Sequence, residues 1–217
     1  MLNGITGLFL EATAETMWMV ICSTVVAVLV GIPLGVLMRA TERGCFWSRP
    51  VLNKIMSWLV NALRSIPFII LMVAIIPFTR LVVGSSIGTT AAIVPLAVSA
   101  IPFLARIVES ALNEVPAGLL EAAEAMGAMP LQVIRRVLLP EAMPSIIRGV
   151  TLTAIALVGY SAMAGAIGGG GLGDLAIRYG YDRFELGVML STIVVLVALV
   201  QLLQMIGDRL AKRLAHQ

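Results

Sequence analysis

The stretch PAGLLEAAEAMGAMPLQVIRRVLLP, residues 116–140, decides how the rest of the chain is interpreted. Residues 117–126 are rich in strong helix formers. Apolar side chains recur in this segment at the spacing of one helix face, at Leu119, Ala122 or Ala123, and Met126. Pro116 suits a helix start and Gly127 suits a C-terminal cap. The pattern predicts a short amphipathic helix over 117–126.

A second short helix is predicted to begin at Pro130, after a tight turn. We call the two helices together, residues 116–140, the docking element. Glu121 and Glu124 share a face of its first helix, and neighbouring alanines leave another face nearly flat. An interfacial helix lying on lipid is the alternative, but an acidic helix suits an anionic leaflet poorly. The docking element is therefore predicted to bind another protein.

The composition places the docking element in a membrane protein. Of the 217 residues, 59% are hydrophobic and only 12% are charged, about half the share in a soluble domain. The two lysines, Lys54 and Lys212, do not follow a glycine, so no phosphate-binding loop of the G-x-x-x-x-G-K-[ST] type is present. One histidine, His216, and two cysteines provide no zinc cluster or Ser-His pair. We predict no cofactor, no metal and no nucleic-acid partner.

Five apolar segments are long enough to cross a bilayer, since a spanning helix needs about 20 residues. They are residues 16–38, 55–78, 86–104, 146–167 and 186–206. No basic n-region precedes the first of them, so no cleavable signal peptide is predicted. The expected fold is an all-α membrane protein with five transmembrane helices and the docking element between the third and the fourth. The whole chain, 1–217, is expected to form one domain with its core over 12–207 and a cytoplasmic loop over 105–145.

The basic residues fix the predicted orientation, because Lys and Arg concentrate on the cytoplasmic side. One set of connections holds eleven of the 15 basic residues: Arg39, Arg43, Arg49, Lys54, Arg106, Arg135, Arg136, Arg148, Arg209, Lys212 and Arg213. The other set holds Arg80, Arg178 and Arg183. The N-terminus is therefore predicted outside, and the C-terminus and the docking element inside.

The predicted spans contain few polar groups. Arg64 is expected roughly 13 Å inside the second span, at 1.5 Å per residue, where it either snorkels to the interface or faces a polar cavity. No Asp or Glu lies within any of the five spans, which disfavours a carrier coupled to ions. The glycine run over 168–173 lacks a βαβ context, so we interpret it as a flexible outer connection and not a nucleotide site.

The docking element resembles the E-A-A-x3-G-x9-I-x-L-P signature of the membrane subunits of bacterial ATP-binding-cassette (ABC) importers. The matching residues are Glu121, Ala122, Ala123, Gly127, Val137, Leu139 and Pro140, with Val137 where that family usually has Ile. The resemblance implies that Glu121, Ala122, Ala123 and Gly127 contact a separate ATPase subunit. Leu139 and Pro140 would support the return of the chain to the membrane.

Further stretches are similar to the methionine-importer permeases of that family: RSIPFIIL at 64–71, IPFTR at 76–80, GYSAM at 159–163 and GGGGLG at 168–173. The resemblance implies a homodimer in the bacterial inner membrane, with two ATPases below, a binding protein or lipoprotein above, and L- and possibly D-methionine as substrate. The chain itself would not be an enzyme. Candidates for lining the pathway are Tyr160, Ser161, Met163 and Arg64. A stand-alone or ion-coupled carrier and a non-transporting scaffold remain the alternatives.

Overall fold

A computed structural model describes residues 2–45 and 47–214, with side chains described from residue 6 onward, and all its regular elements in these ranges are helices. His216 lies outside them. The helices are α1 Leu2–Ala40, α2 Pro50–Ser65, α3 Phe68–Ala74, α4 Ile76–Val83, α5 Thr89–Asn113, α6 Ala117–Ala125, α7 Pro130–Val133, α8 Leu139–Ala164, α9 Gly171–Leu175 and α10 Leu186–Leu214. Three π-helical segments, Ile134–Leu138, Gly165–Gly169 and Ala176–Tyr181, follow α7, α8 and α9.

Four stretches of helix are long and apolar enough to cross a membrane: Thr6–Ala40, Thr89–Asn113, Pro130–Gly169 and Leu186–Leu214. A fifth crossing exists if the bent pair α2 and α3 is taken as one span. The prediction of an all-helical membrane protein is therefore confirmed for the described residues, with four or five spans.

The second predicted span, 55–78, is not one helix. It consists of parts of α2, α3 and α4, and the axes of α2 and α3 meet at a bend of 101°. Pro67 causes the break: it has no N–H to donate, and it forces the preceding residue away from helical angles. Ile66 accordingly has φ −80° and ψ 122°. Prolines 33, 95 and 102, in contrast, lie inside continuous helices.

Helix α5 is the centre of the bundle, and α1 packs along it. Leu96, Leu104 and Val108 of α5 are fully buried. Gly31 and Gly35 allow the close approach, because a Cβ at Gly35 would lie 2.5 Å from the carbonyl oxygen of Ala105. The small-residue spacing in the first span therefore packs two helices, as such spacings commonly do.

The second helix of the docking element is not a separate short helix, contrary to the prediction. Residues 130–164 form one continuous helix, through α7, the π-helical segment and α8, that runs from the docking element into the fourth span. Pro140 cannot donate the N–H that a regular helix needs at that point. A π-helical turn absorbs the irregularity: the N–H of Leu139 bonds to the carbonyl of Ile134, five residues back.

The glycine run is a packed turn, so the prediction of a flexible outer connection is wrong. Gly168, Gly170 and Gly171 adopt positive φ angles of 91°, 78° and 76°, which the backbone of other residues rarely tolerates. The run folds α9 back against α8, and Gly169, Gly171 and Gly173 are buried. Helix α1 fastens it: the Glu15 carboxylate accepts a hydrogen bond of 2.6 Å from the N–H of Gly171, and the Thr16 hydroxyl accepts one of 2.9 Å from Leu172.

Candidate functional site: the docking element and the inner face of the bundle

The docking element begins with α6, which spans Ala117–Ala125 and agrees closely with the predicted helix. Pro116 precedes it with extended angles, φ −57° and ψ 129°. Gly127 ends it with φ +76°, the left-handed angle that a glycine C-terminal cap adopts. The N–H groups of Gly127 and Ala128 bond to the carbonyls of Glu124 and Ala123, at 2.9 and 3.1 Å. The turn is therefore rigidly attached to the helix.

A side chain also orders the start of the next helix. The Gln132 side-chain oxygen accepts a hydrogen bond of 2.9 Å from the N–H of Met129. Pro130 occupies the first turn of α7, where its missing N–H has no consequence. The docking element is thus a helix–turn–helix in which both sides of the turn are capped.

The two faces of α6 differ sharply in burial. Leu120 and Ala123 pack into the core of the chain, and Ala123 is 3% exposed. Leu119, Glu121, Ala122, Glu124 and Met126 are exposed. The Ala123 side chain is therefore covered by its own chain, and its contact with an ATPase stays a prediction. Its small size lets α6 pack closely against the bundle.

The docking element also carries several large, exposed apolar side chains. Met126 is 82% exposed and Met129 is 68% exposed, and Leu119 and Leu131 of the same element are exposed as well. Large apolar side chains clustered on a surface mark interaction sites. The sequence analysis did not identify Met129 and Leu131 as candidate contact residues. Their position on either side of Pro130, in the turn, was the available signal.

Leu139 and Pro140 lie where the docking element joins the fourth span. Leu139 packs against the core, and Pro140 is exposed in the first turn of α8. Both stand beside the π-helical turn and can fix its register. Gly127 is exposed at the far end of the element, where backbone contact with a partner is sterically open, since nothing lies within 4 Å of a Cβ placed there.

The pathway candidates on α8 divide by exposure. Met163 is 48% exposed, whereas Ser161 is 1% exposed and its hydroxyl bonds to the Val158 carbonyl at 2.8 Å. The Tyr160 ring stacks on Phe68 with their centroids 4.8 Å apart, which ties α8 to the broken second span. Of these three side chains, that of Met163 is the most exposed at the surface of the protomer.

Arg64 does not lie deep within a straight span, because α2 turns away from α3 directly after it. Its guanidinium lies 5.7 Å from the centre of the Phe103 ring, a cation–π contact. It also lines a cavity together with Arg106, Glu114 and Arg148. Since Glu114 lies two residues before the docking element, this cavity opens at the docking end of the bundle.

The charged side chains of the described residues form three ion pairs, Arg39–Glu42, Arg106–Glu109 and Arg178–Asp174. The shortest is Arg106–Glu109 at 2.6 Å, where the Glu109 side chain is 9% exposed. Within the same residues, no group of three or more His, Cys, Asp or Glu side chains is placed to hold a metal ion.

Residues 31–216 match the family model for the binding-protein-dependent transport system inner membrane component. The chain belongs to this family. The match covers the docking element, every predicted span from the second onward, and the last third of the first, residues 31–38. The resemblance to membrane subunits of ABC importers and the inner-membrane location are thereby confirmed for this member of the binding-protein-dependent permease family.

Individual relatives extend the similarity over nearly the whole permease. The probable D-methionine transport system permease protein MetI of Vibrio cholerae serotype O1 is 55% identical over 210 residues, 97% of this chain and 93% of that protein. The protein of the same description from Pasteurella multocida is 49% identical over 206 residues, 95% of each.

A solved structure agrees equally well. A chain of the MetNI methionine ABC transporter, crystallised in inward-facing conformations, superposes with a TM-score of 0.95 at 49% identity, covering 97% of this chain and 98% of that one. The permease described here therefore has the same fold as that transporter chain.

Proposed function

We propose that the chain is the membrane-spanning permease subunit of an ATP-driven importer of methionine, L- and possibly D-. The observation that carries the proposal is the rigid docking element with its exposed acidic and apolar face, in a chain whose relatives are described as methionine permeases. Two separate ATPase subunits would bind this face, and a second copy of the permease and a binding protein or lipoprotein would complete the importer. Hydrolysis of ATP would take place on the ATPase subunits.

The proposed topology has five spans, with α2 to α4 together forming the second. The N-terminus is outside and the C-terminus inside, as the distribution of basic residues indicates. We propose one domain over 1–217, with its core over 12–207 and the coupling loop over 105–145. The outer end of the bundle then contains the packed glycine turn, where a binding protein would approach.

The connections of the docking element support a mechanical role. Helix α6 is joined to α5 by residues 114–116 and to the long helix over 130–164 by residues 126–129. Such short connections transmit a displacement of α6 to both spans. When two ATPases close, the docking helices would approach each other, and the long helices would rock between inward-facing and outward-facing states. Met163 lies on the moving helix and is the candidate gate between two protomers.

The remaining pathway candidates take more limited roles in this proposal. Tyr160 holds α8 against Phe68, so that a displacement of α8 also moves the second span. Ser161 is buried inside the protomer and stabilises α8 rather than lining a pathway. Glu121, Ala122 and Gly127 provide ATPase contacts, while Ala123, Leu139 and Pro140 fix the position of the docking element.

The test is reconstitution of the permease with its ATPase and binding protein in liposomes, followed by uptake of labelled methionine. Uptake that requires ATP and all three components supports the proposal. A stand-alone or ion-coupled carrier would transport without ATP, and a scaffold would bind the ATPase without any uptake. Either result would refute the proposed function.

A further inference from the structure

Three arginines from three helices meet in one cavity at the docking end of the bundle. The cavity has a volume of about 420 Å³, and its polar lining residues are Arg64, Arg106, Ser110, Glu114, Ser145 and Arg148. They come from α2, α5, the residue after α5, and α8. Because the bend at Pro67 directs α2 away from α3, Arg64 reaches a place that a straight second span would not provide.

We propose that this cavity is a binding site for the amino-acid substrate at the cytoplasmic end of its path, with Arg64 and Arg148 holding the substrate carboxylate. The inference rests on the proposed function, since it assigns a position to the molecule that the permease transports. Its volume lies within the roughly 300–1,000 Å³ of small-molecule sites.

The three arginines of the cavity differ in whether they have an ion-pair partner. Arg106 already has a partner, because its guanidinium donates to Glu109 at 2.6 Å. Among the described residues, no carboxylate lies within ion-pair distance of Arg64 or Arg148. Unpaired guanidiniums bind carboxylates well, often through two parallel hydrogen bonds. These two are therefore the groups available for an incoming carboxylate.

The rest of the cavity complements the other parts of an amino acid. Glu114 is exposed and has no ion-pair partner among the described residues, so its carboxylate can accept from an ammonium group. Ile107, Ala111 and Leu152 form an apolar wall. Guanidiniums, a carboxylate and an apolar wall in one cavity match a zwitterion with an apolar side chain better than they match a simple anion.

A continuous face of α8 connects the cavity with the candidate gate. Arg148, Leu152, Gly159 and Met163 are all exposed, and their spacing places them along one side of the helix. A substrate released past Met163 would move along this face and reach Arg148 about four turns further towards the docking end. The location therefore agrees with a release site on the route to the cytoplasm.

The experiment is direct binding of labelled methionine to the purified complex of permease and ATPase in phosphatidylcholine nanodiscs, without nucleotide and without binding protein. Methionine amide, which lacks the carboxylate, is the comparison ligand. In the wild type we expect methionine to bind more tightly than its amide. Arg64→Gln and Arg148→Gln should each weaken methionine binding about tenfold and leave amide binding unchanged. Arg148→Lys should retain part of the preference.

Glu114→Gln should weaken binding of both ligands, because both carry the ammonium group. Arg209→Gln is the matched control, since this exposed arginine on α10 is outside the cavity, and it should change neither. Assembly of each variant complex is checked by gel filtration, and Glu114→Gln and Arg148→Lys provide the test if Arg148→Gln fails to assemble.

ATP-driven uptake by the wild type, measured in liposomes with the binding protein added, separates the two proposals. If the wild type shows no uptake, the proposed function fails. If uptake is normal but the Gln variants keep the wild-type preference for methionine, or the wild type binds no methionine, only the cavity assignment is overturned.

Discussion

At the scale of single residues, glycines decide how closely the helices approach. At Gly35, a Cβ would lie 2.5 Å from the Ala105 carbonyl oxygen and 2.7 Å from the Val108 Cβ, and the first of these is backbone that cannot rotate away. We expect Gly35→Ala to lower the stability of the permease by about 1–3 kcal/mol through overpacking. The measurement is the midpoint of thermal unfolding in detergent.

The same helix contains a matched control. Gly7 also lies in α1, but nothing is within 4 Å of a Cβ placed there. Gly7→Ala should leave the midpoint unchanged or raise it slightly, because alanine is the better helix former. Equal midpoints for the two variants would contradict the role assigned to Gly35.

At the scale of elements, the docking element joins an external partner to the spans. Glu121 is exposed on the face of α6 that also presents the exposed Glu124. We expect Glu121→Lys to lower the affinity for the ATPase subunit by more than tenfold, since a complementary groove would be basic and like charges in an interface cost several kcal/mol, where about 1.4 kcal/mol is tenfold. Co-purification of tagged permease with the ATPase measures the effect.

Glu185→Lys is the control, because Glu185 is also exposed but precedes α10 at the other end of the bundle. It should leave co-purification unchanged, and both variants should still insert into the membrane. Wild-type retention of the ATPase by Glu121→Lys would remove Glu121 from the interface.

The elements also show what the sequence could and could not predict. Helix α6, its glycine cap and its exposed acidic pair depend on local propensities, so the sequence alone was sufficient. The 101° bend before Phe68 could not be predicted from the sequence. Pro67 looks no different in sequence from prolines 33 and 95, which lie inside continuous helices, and only packing determines which proline breaks its helix. The glycine run looked flexible because Glu15, which fastens it, is 156 residues away from Gly171.

Prediction of the candidate site from the sequence was limited by the same dependence on tertiary structure. The alanines at 122 and 123 are chemically identical, and only the fold decides that one is exposed and the other buried. Arg64 was recognised as an unusual charge, but its neighbours Arg106 and Arg148 counted only as cytoplasmic basic residues. Their convergence on one cavity depends on the bend of α2, which is a tertiary feature.

At the scale of the whole molecule, burial inside one protomer is uneven. In α5, 56% of the most apolar stretch is buried, against 17% in α10. Helix α5 is therefore covered by the protomer itself, and α10 leaves its apolar surface for lipid or a second subunit. A chain with such an exposed surface needs a defined orientation in the bilayer, and its two cysteines allow that orientation to be measured.

Cys45 is half-buried in the connection between α1 and α2, and Cys22 lies within α1. In Cys22→Ser, where Cys45 is the one remaining thiol, a membrane-impermeant maleimide should label inverted membrane vesicles and leave intact spheroplasts unlabelled. Cys45 lies in one of the connections that together hold eleven of the 15 basic residues. Connections rich in Lys and Arg are on the cytoplasmic side of the membrane. A double variant that also carries Cys45→Ser controls for background labelling. Labelling confined to intact spheroplasts would invert the topology and place the docking element outside, where no ATP-driven subunit could reach it.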